Sequence, residues 1–71
     1  MGTFNGKALR SWRAQRRLTQ KALAERALVD PSKISALEHG HWNPSWDVAC
    51  RLAAALRVSL DTFRAEPGRE P

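Results

Sequence analysis

Apolar residues recur along this chain at helical spacing, in short runs divided by turn chemistry. Ala8, Leu9 and Trp12 fall on one helical stripe. Asn5 stands before them as a cap, so a first helix is expected to run to about Arg16. Residues 1–5 read as a loose start. Leu23, Ala24 and Ala27 mark the inner face of a second helix, capped by Thr19 and running from Gln20 to about Ala27. Asp30-Pro31 is the clearest start signal. The Asp30 carboxylate can accept a backbone N–H one turn on, and Pro31 has no N–H to leave unpaired. The third helix should end near Glu38, with Gly40 as its left-handed stop. Ile34 and Leu37 then face inward, leaving Ser32, Lys33, Ser35 and Ala36 outward or sideways. Asn43-Pro44-Ser45 is a turn, and Ser45 caps a fourth helix from Trp46 to about Leu56. Its buried stripe is Ala49, Leu52, Ala53 and Leu56. Ser59 is placed to cap a last short helix carrying Leu60 and Phe63. One domain over 1–64 and a disordered tail over 65–71 are expected.

Composition agrees with an all-α reading. Ala and Leu dominate the 71 residues, Tyr is absent and β-branched residues are sparse. No apolar run approaches the ~20 residues that span a bilayer. The initial Met and ragged tail read as a complete chain, with no ligand-sensing or oligomerisation domain after Phe63. The single cysteine, Cys50, excludes an internal disulfide. With no signal peptide, a reducing cytosol is the expected compartment. Catalytic constellations are missing: there is no paired-carboxylate pocket, no glycine-rich phosphate loop, and no Ser/His/Asp set. A domain this small also lacks volume for a substrate cleft. The chain is therefore not expected to be an enzyme, nor to carry a cofactor or a small-molecule ligand. His39-Gly40-His41 lacks the further ligands a metal site needs.

Charge changes the picture more. Twelve Lys/Arg oppose seven Asp/Glu, a net charge of +5. Lys7, Arg10, Arg13, Arg16, Arg17, Lys21 and Arg26 all precede residue 27, where Glu25 is the only acid. An anionic partner is implied, because cations gain free energy by releasing counterions from nucleic acid. Lys21 sits in the first turn of its helix, where the dipole opposes a cation. A phosphate there would resolve the conflict, since the same helix end offers free N–H groups.

Helices two and three are joined by about three residues and are too short to bury their apolar faces alone. Ala24 is small enough for a close crossing, which is the logic of a helix-turn-helix. The stretch from Leu9 to Phe63 resembles the phage-repressor and Cro-type (XRE) family. The matching pieces are Leu9-Arg10-Ser11-Trp12-Arg13, Leu18-Thr19-Gln20, Leu23-Ala24-Glu25, Val29, Ile34-Ser35 and Leu37-Glu38-His39-Gly40. Pro44-Ser45, Leu52-Ala53-Ala54-Ala55-Leu56 and Val58-Ser59-Leu60-Asp61 complete the series. The resemblance implies a compact five-helix, lambda-repressor-like DNA-binding domain, working as a homodimer on a two-fold operator. Gln20 matches a residue that holds a DNA phosphate and buttresses the next helix. Pro31, Ser32, Lys33 and Ala36 match positions facing base edges or the adjoining backbone. Arg13 and Glu38 match an internal salt bridge, with the arginine also near phosphate. His39, His41 and Trp42 match the loop that runs close to the backbone, and Asn43 follows them. Lys21 and Ser35 join this DNA-binding set on their own chemistry.

The chain departs from that pattern where the family has glycine and this sequence has Leu28 and Arg57. Both sites need a positive φ, at a cost on the order of 1 kcal/mol for other residues. Lys21-Ala22 replaces the family's glutamate pair, which loses a capping box and gains charge. Readers of base edges are few. Pro31 and Ala36 offer only apolar contact, Ser32 and Ser35 discriminate little, and Lys33 can donate to guanine or to a phosphate. Direct readout should be modest, with specificity leaning on dimer spacing and DNA shape.

The expected function is a sequence-specific regulator of transcription, a repressor or autoregulator, on double-stranded DNA. A weak homodimer, strengthened on DNA, would use the last helix and the region near Trp46. The alternatives are a controller of a restriction-modification operon or an antitoxin-like autorepressor, a protein-interaction module of the same fold, such as an antitoxin-like or transcription-factor-binding domain, and non-specific DNA coating. Trp12 is expected in the core and Trp46 half-buried. Trp42 is expected either to tuck beneath the helices or to present a face to DNA or a partner subunit.

Overall fold

Four capping side chains open four α-helices in the computed structural model, which describes residues 4–64. The Asn5 side chain accepts the Ala8 N–H at 3.0 Å and opens α1 (Gly6–Gln15). Thr19 accepts the Ala22 N–H at 3.0 Å and opens α2 (Gln20–Ala27). Asp30 accepts the Ser32 N–H at 3.1 Å ahead of α3 (Pro31–Glu38), with Pro31 at its first position. Ser45 accepts the Val48 N–H at 3.2 Å and opens α4 (Trp46–Leu56). Each bond satisfies an N–H that the helix itself leaves unpaired.

The helices also end alike. One or two positions past each, the chain passes through the left-handed region: Arg17, Leu28, Gly40 and Arg57 have φ of 58°, 59°, 77° and 59°. The next N–H then reaches back five residues, Leu18 to Arg13, Val29 to Ala24, His41 to Ala36 and Val58 to Ala53. This wrap satisfies carbonyls the helix end would orphan. Glycine serves once; the other three positions carry a Cβ against the left-handed penalty. Leu28 is 75% exposed, so its side chain contributes little burial in return. Leu28→Gly is expected to stabilise the domain by about 0.5–1 kcal/mol, the left-handed strain relieved less the added entropy of the unfolded chain. A thermal melt that shows no rise would mean the turn tolerates leucine without strain.

Leu9, Leu23, Ile34, Leu37, Leu52 and Leu56 are fully buried and form the centre of the core, with Ala24, Ala27, Ala53 and Phe63 around them. α2 packs against both α3 and α4, and α1 against α3. Burial on this scale stabilises each large side chain by about 1.5–3 kcal/mol.

Several expectations need correction. The fifth helix is a single 3-10 turn, Leu60–Phe63, so the described residues hold four α-helices. Its two apolar residues are three apart, the repeat of a 3-10 helix, in which i and i+3 align. Arg64 then turns extended and pairs with Phe4, which stops propagation. Ser59 precedes the turn without a side-chain capping bond. The start of the chain is not loose at Phe4 and Asn5: the Asn5 N–H donates to Phe63 O at 2.7 Å, and the Phe4 and Phe63 rings lie 5.0 Å apart. Ala49 is half-buried rather than buried. Trp12 lies at the edge of the core, half-buried, with the Arg16 guanidinium 4.9 Å above its ring. Trp46 is 75% exposed, because a first-turn side chain leans toward the helix N-terminus and away from the bundle. The tail expected over residues 65–71 lies outside the described residues.

Candidate nucleic-acid interface

α3 is held by one face and open on the other. Ile34 and Leu37 are fully buried, while Pro31, Ser32 and Lys33 are exposed and Ser35 and Ala36 half-buried. With its side chains an α-helix is about 10–12 Å across, a thickness the roughly 12 Å major groove admits. Ser32 is partly committed, since its hydroxyl donates to Asp30 Oδ1 at 3.1 Å.

Behind α3, Glu38 ties three helices together. Its carboxylate, 2% exposed, accepts Arg13 Nε at 2.6 Å, Arg13 Nη2 at 3.2 Å and Gln20 Nε2 at 3.0 Å. Arg13 Nη1 donates to Leu18 O at 2.8 Å. The fork geometry of a guanidinium suits this two-point grip on a carboxylate. Arg13 and Gln20 thus meet each other through Glu38, and both set the placement of α3 from α1 and α2. Arg13 is turned inward at 17% exposure, and each of its three nitrogens already donates once. Lys21, beside Gln20, is exposed at the start of α2.

The loop after α3 brings further expected residues together. His39 Nδ1 lies 2.9 Å from Ser35 O, and the His39 and His41 rings are near-parallel at 6.1 Å. Trp42 is half-buried and packs on the core, and Lys33 Nζ lies 4.4 Å from its ring centroid. Asn43 is separate from this group. Its Oδ1 accepts the Phe4 N–H at 3.3 Å and so fastens the start of the chain. Arg10 on α1 and Arg16 just past it are both exposed, and Arg16 Nε also donates to Leu56 O at 2.9 Å. The Lys33–Trp42 contact was not foreseen, although both residues were singled out; only folding brings a loop ring under a helix residue nine positions earlier.

Comparison with known proteins places this geometry. A family model described as a helix-turn-helix domain matches residues 6–65. Two curated relatives from strains of Mycobacterium tuberculosis, each named as an uncharacterized HTH-type transcriptional regulator, are 36% identical over 63 residues. The match covers 89% of this chain and 45% of theirs, so the chain spans about half the length of those relatives. Among solved structures, the restriction-modification controller protein C.AhdI from Aeromonas hydrophila superposes with a TM-score of 0.78 at 32% identity. That alignment covers 80% of this chain and 86% of the other. SinR, a master regulator for biofilm formation, solved with DNA and known from Bacillus subtilis, gives 0.76 at 31%, covering 80% and 95%. The P22 c2 repressor with a synthetic operator gives 0.77 at 28%, covering 79% and 85%.

Proposed function

The chain belongs to the helix-turn-helix family of the phage-repressor (XRE) type, and as a DNA-binding transcriptional regulator of that family we propose that it acts as a homodimeric repressor or autoregulator with α3 in the major groove. One observation carries the docking: Pro31, Ser32 and Lys33 are exposed on a helix whose other face is anchored by Ile34 and Leu37. In this reading Lys33 reads a base edge, and Ser32, Ser35, Pro31 and Ala36 line the contact. Gln20 and Lys21, at the start of α2, meet a phosphate on the adjoining backbone, where the helix dipole and free N–H groups favour an anion. His39 and His41 run beside the backbone, and Asn43 and Arg13 serve mainly to hold the frame.

The dimer contact proposed is the surface around exposed Trp46. It borders a groove of about 480 Å³ lined by Phe4, Pro44, Trp46, Leu60 and Phe63, a size that accepts an aromatic side chain of a second copy. The same exposed tryptophan also favours the rival reading, a module that docks another protein. Salt dependence separates them: duplex affinity should fall steeply with salt, and a flat response supports the protein partner.

Selection from a random duplex pool tests the whole reading. Two related half-sites at a fixed spacing are expected; equal affinity for all sequences would leave only non-specific coating. On the selected duplex, Lys33→Ala should weaken binding by about 1–3 kcal/mol and alter the preferred sequence. Gln20→Ala should weaken all duplexes about equally, since a phosphate contact positions without specifying. If both variants bind as the parent does, the docking is wrong even with the fold intact.

A further inference from the structure

Building on the DNA-binding reading, we propose that Trp42 is the positioning residue for Lys33, and that the two together impose a guanine preference in each half-site. Lys33 is the one cation on α3. It makes no ion pair among the described residues, and the two nearest carboxylates in sequence are committed elsewhere. Asp30 Oδ1 accepts two bonds from Ser32, and Glu38 faces Arg13 and Gln20. What Lys33 meets instead is the Trp42 ring, 4.4 Å from Nζ to centroid. The two halves of this contact differ in freedom. Trp42 is half-buried and packed on the core, so the fold fixes the ring; Lys33 is exposed and would otherwise sample many rotamers.

An indole face is the strongest aromatic platform for an ammonium. An ammonium has three N–H donors, and one directed at the ring beneath it leaves the other two free. Two donors are left pointing away from the ring. Guanine shows two adjacent acceptors, N7 and O6, on its major-groove edge, whereas adenine shows an acceptor beside a donor. Two donors held in fixed directions therefore discriminate guanine from adenine. A freely moving lysine would serve equally well on any nearby phosphate. Ordering the side chain before binding also lowers the entropy lost on the complex. Trp42 thus acts on DNA through Lys33, rather than as a backbone contact of its own.

The test uses the duplex selected by the parent protein and its variants with adenine at each guanine in turn. The quantity read is the ratio of the two affinities, which is unaffected by a change in the folded fraction. Lys33→Ala should lower this ratio roughly tenfold at one position per half-site. Trp42→Leu should lower it at the same position by roughly two- to fivefold, with Trp42→Phe in between. In the Lys33→Ala background, Trp42→Leu should have no further effect on the ratio. If Trp42→Leu fails to fold, Trp42→Phe alone must show the drop. A Trp42 variant that weakens guanine and adenine duplexes equally overturns the positioning role and makes Trp42 a backbone contact. A parent protein that selects no sequence at all overturns the sequence-specific reading, and the guanine preference with it.

Discussion

Glu38→Ala is expected to destabilise the domain by about 3–5 kcal/mol, close to the whole stability of a chain this short. The carboxylate is 2% exposed and accepts from two nitrogens of Arg13 and from Gln20. Alanine removes all three acceptor bonds and leaves the Arg13 guanidinium, 17% exposed, without its counter-charge. That residual charge, more than the lost bonds, sets the size of the effect. An orphaned buried ion retains its desolvation penalty after its compensation has gone. Glu38→Gln should cost less, because it keeps the shape and one acceptor. The informative variant is the double substitution Arg13→Met with Glu38→Leu. With no charge left unpaired, it should recover most of the loss. Urea unfolding of the parent, Arg13→Met, Glu38→Leu and the double variant closes the cycle. A loss under ~1 kcal/mol for Glu38→Ala would put the pair in the class of solvated surface bridges.

The same cluster bears on DNA. Arg13 lies on α1, Gln20 on α2 and Glu38 at the end of α3, so the angle at which α3 stands out from the domain is set partly by one buried carboxylate. A folded variant with this cluster loosened should bind duplex less tightly at every sequence, because placement rather than base contact is lost.

The features legible in the sequence are those whose cause is local. Asn5, Thr19, Asp30 and Ser45 each cap the helix assigned to them, because a cap needs only a short polar side chain and the next turn. The positive φ at Leu28 and Arg57 was expected from the resemblance, and the salt bridge of Arg13 with Glu38 likewise. The left-handed Arg17 was not, since nothing in its neighbours marks it. What stayed hidden depends on distant parts of the chain. Phe4 and Asn5 are ordered by Phe63, Arg64 and Asn43, at the far end of the chain and in the loop before α4. Trp46 has the composition of a core residue and the position of a surface one, and only the direction of the first turn decides. On α3 the outward face was legible from spacing and its DNA-facing role was expected from the resemblance, yet the support beneath Lys33 came from a loop whose path no pattern describes.

Gly6 is the clearest case of such hidden meaning, and Gly6→Ala is expected to destabilise the domain by about 2–3 kcal/mol or more. Read along the chain, Gly6 is an ordinary first-turn residue, where alanine would favour the helix by roughly 0.5–1 kcal/mol. In space it is buried where α1 crosses the end of α3. A methyl group there would overlap the Leu37 carbonyl oxygen and lie 3.1 Å from its carbonyl carbon and 3.2 Å from Glu38 Cα. These are backbone atoms, so no side chain can swing aside; one helix must move. The movement would strain the buried Leu37 and the Glu38 cluster together, and helix propensity is too small to offset that. A folded remnant should also show weakened duplex binding, since the displaced element is α3 itself. Thermal and urea unfolding decide the matter: an alanine variant as stable as the parent would mean that the crossing has slack and that α1 does not fix the stance of α3.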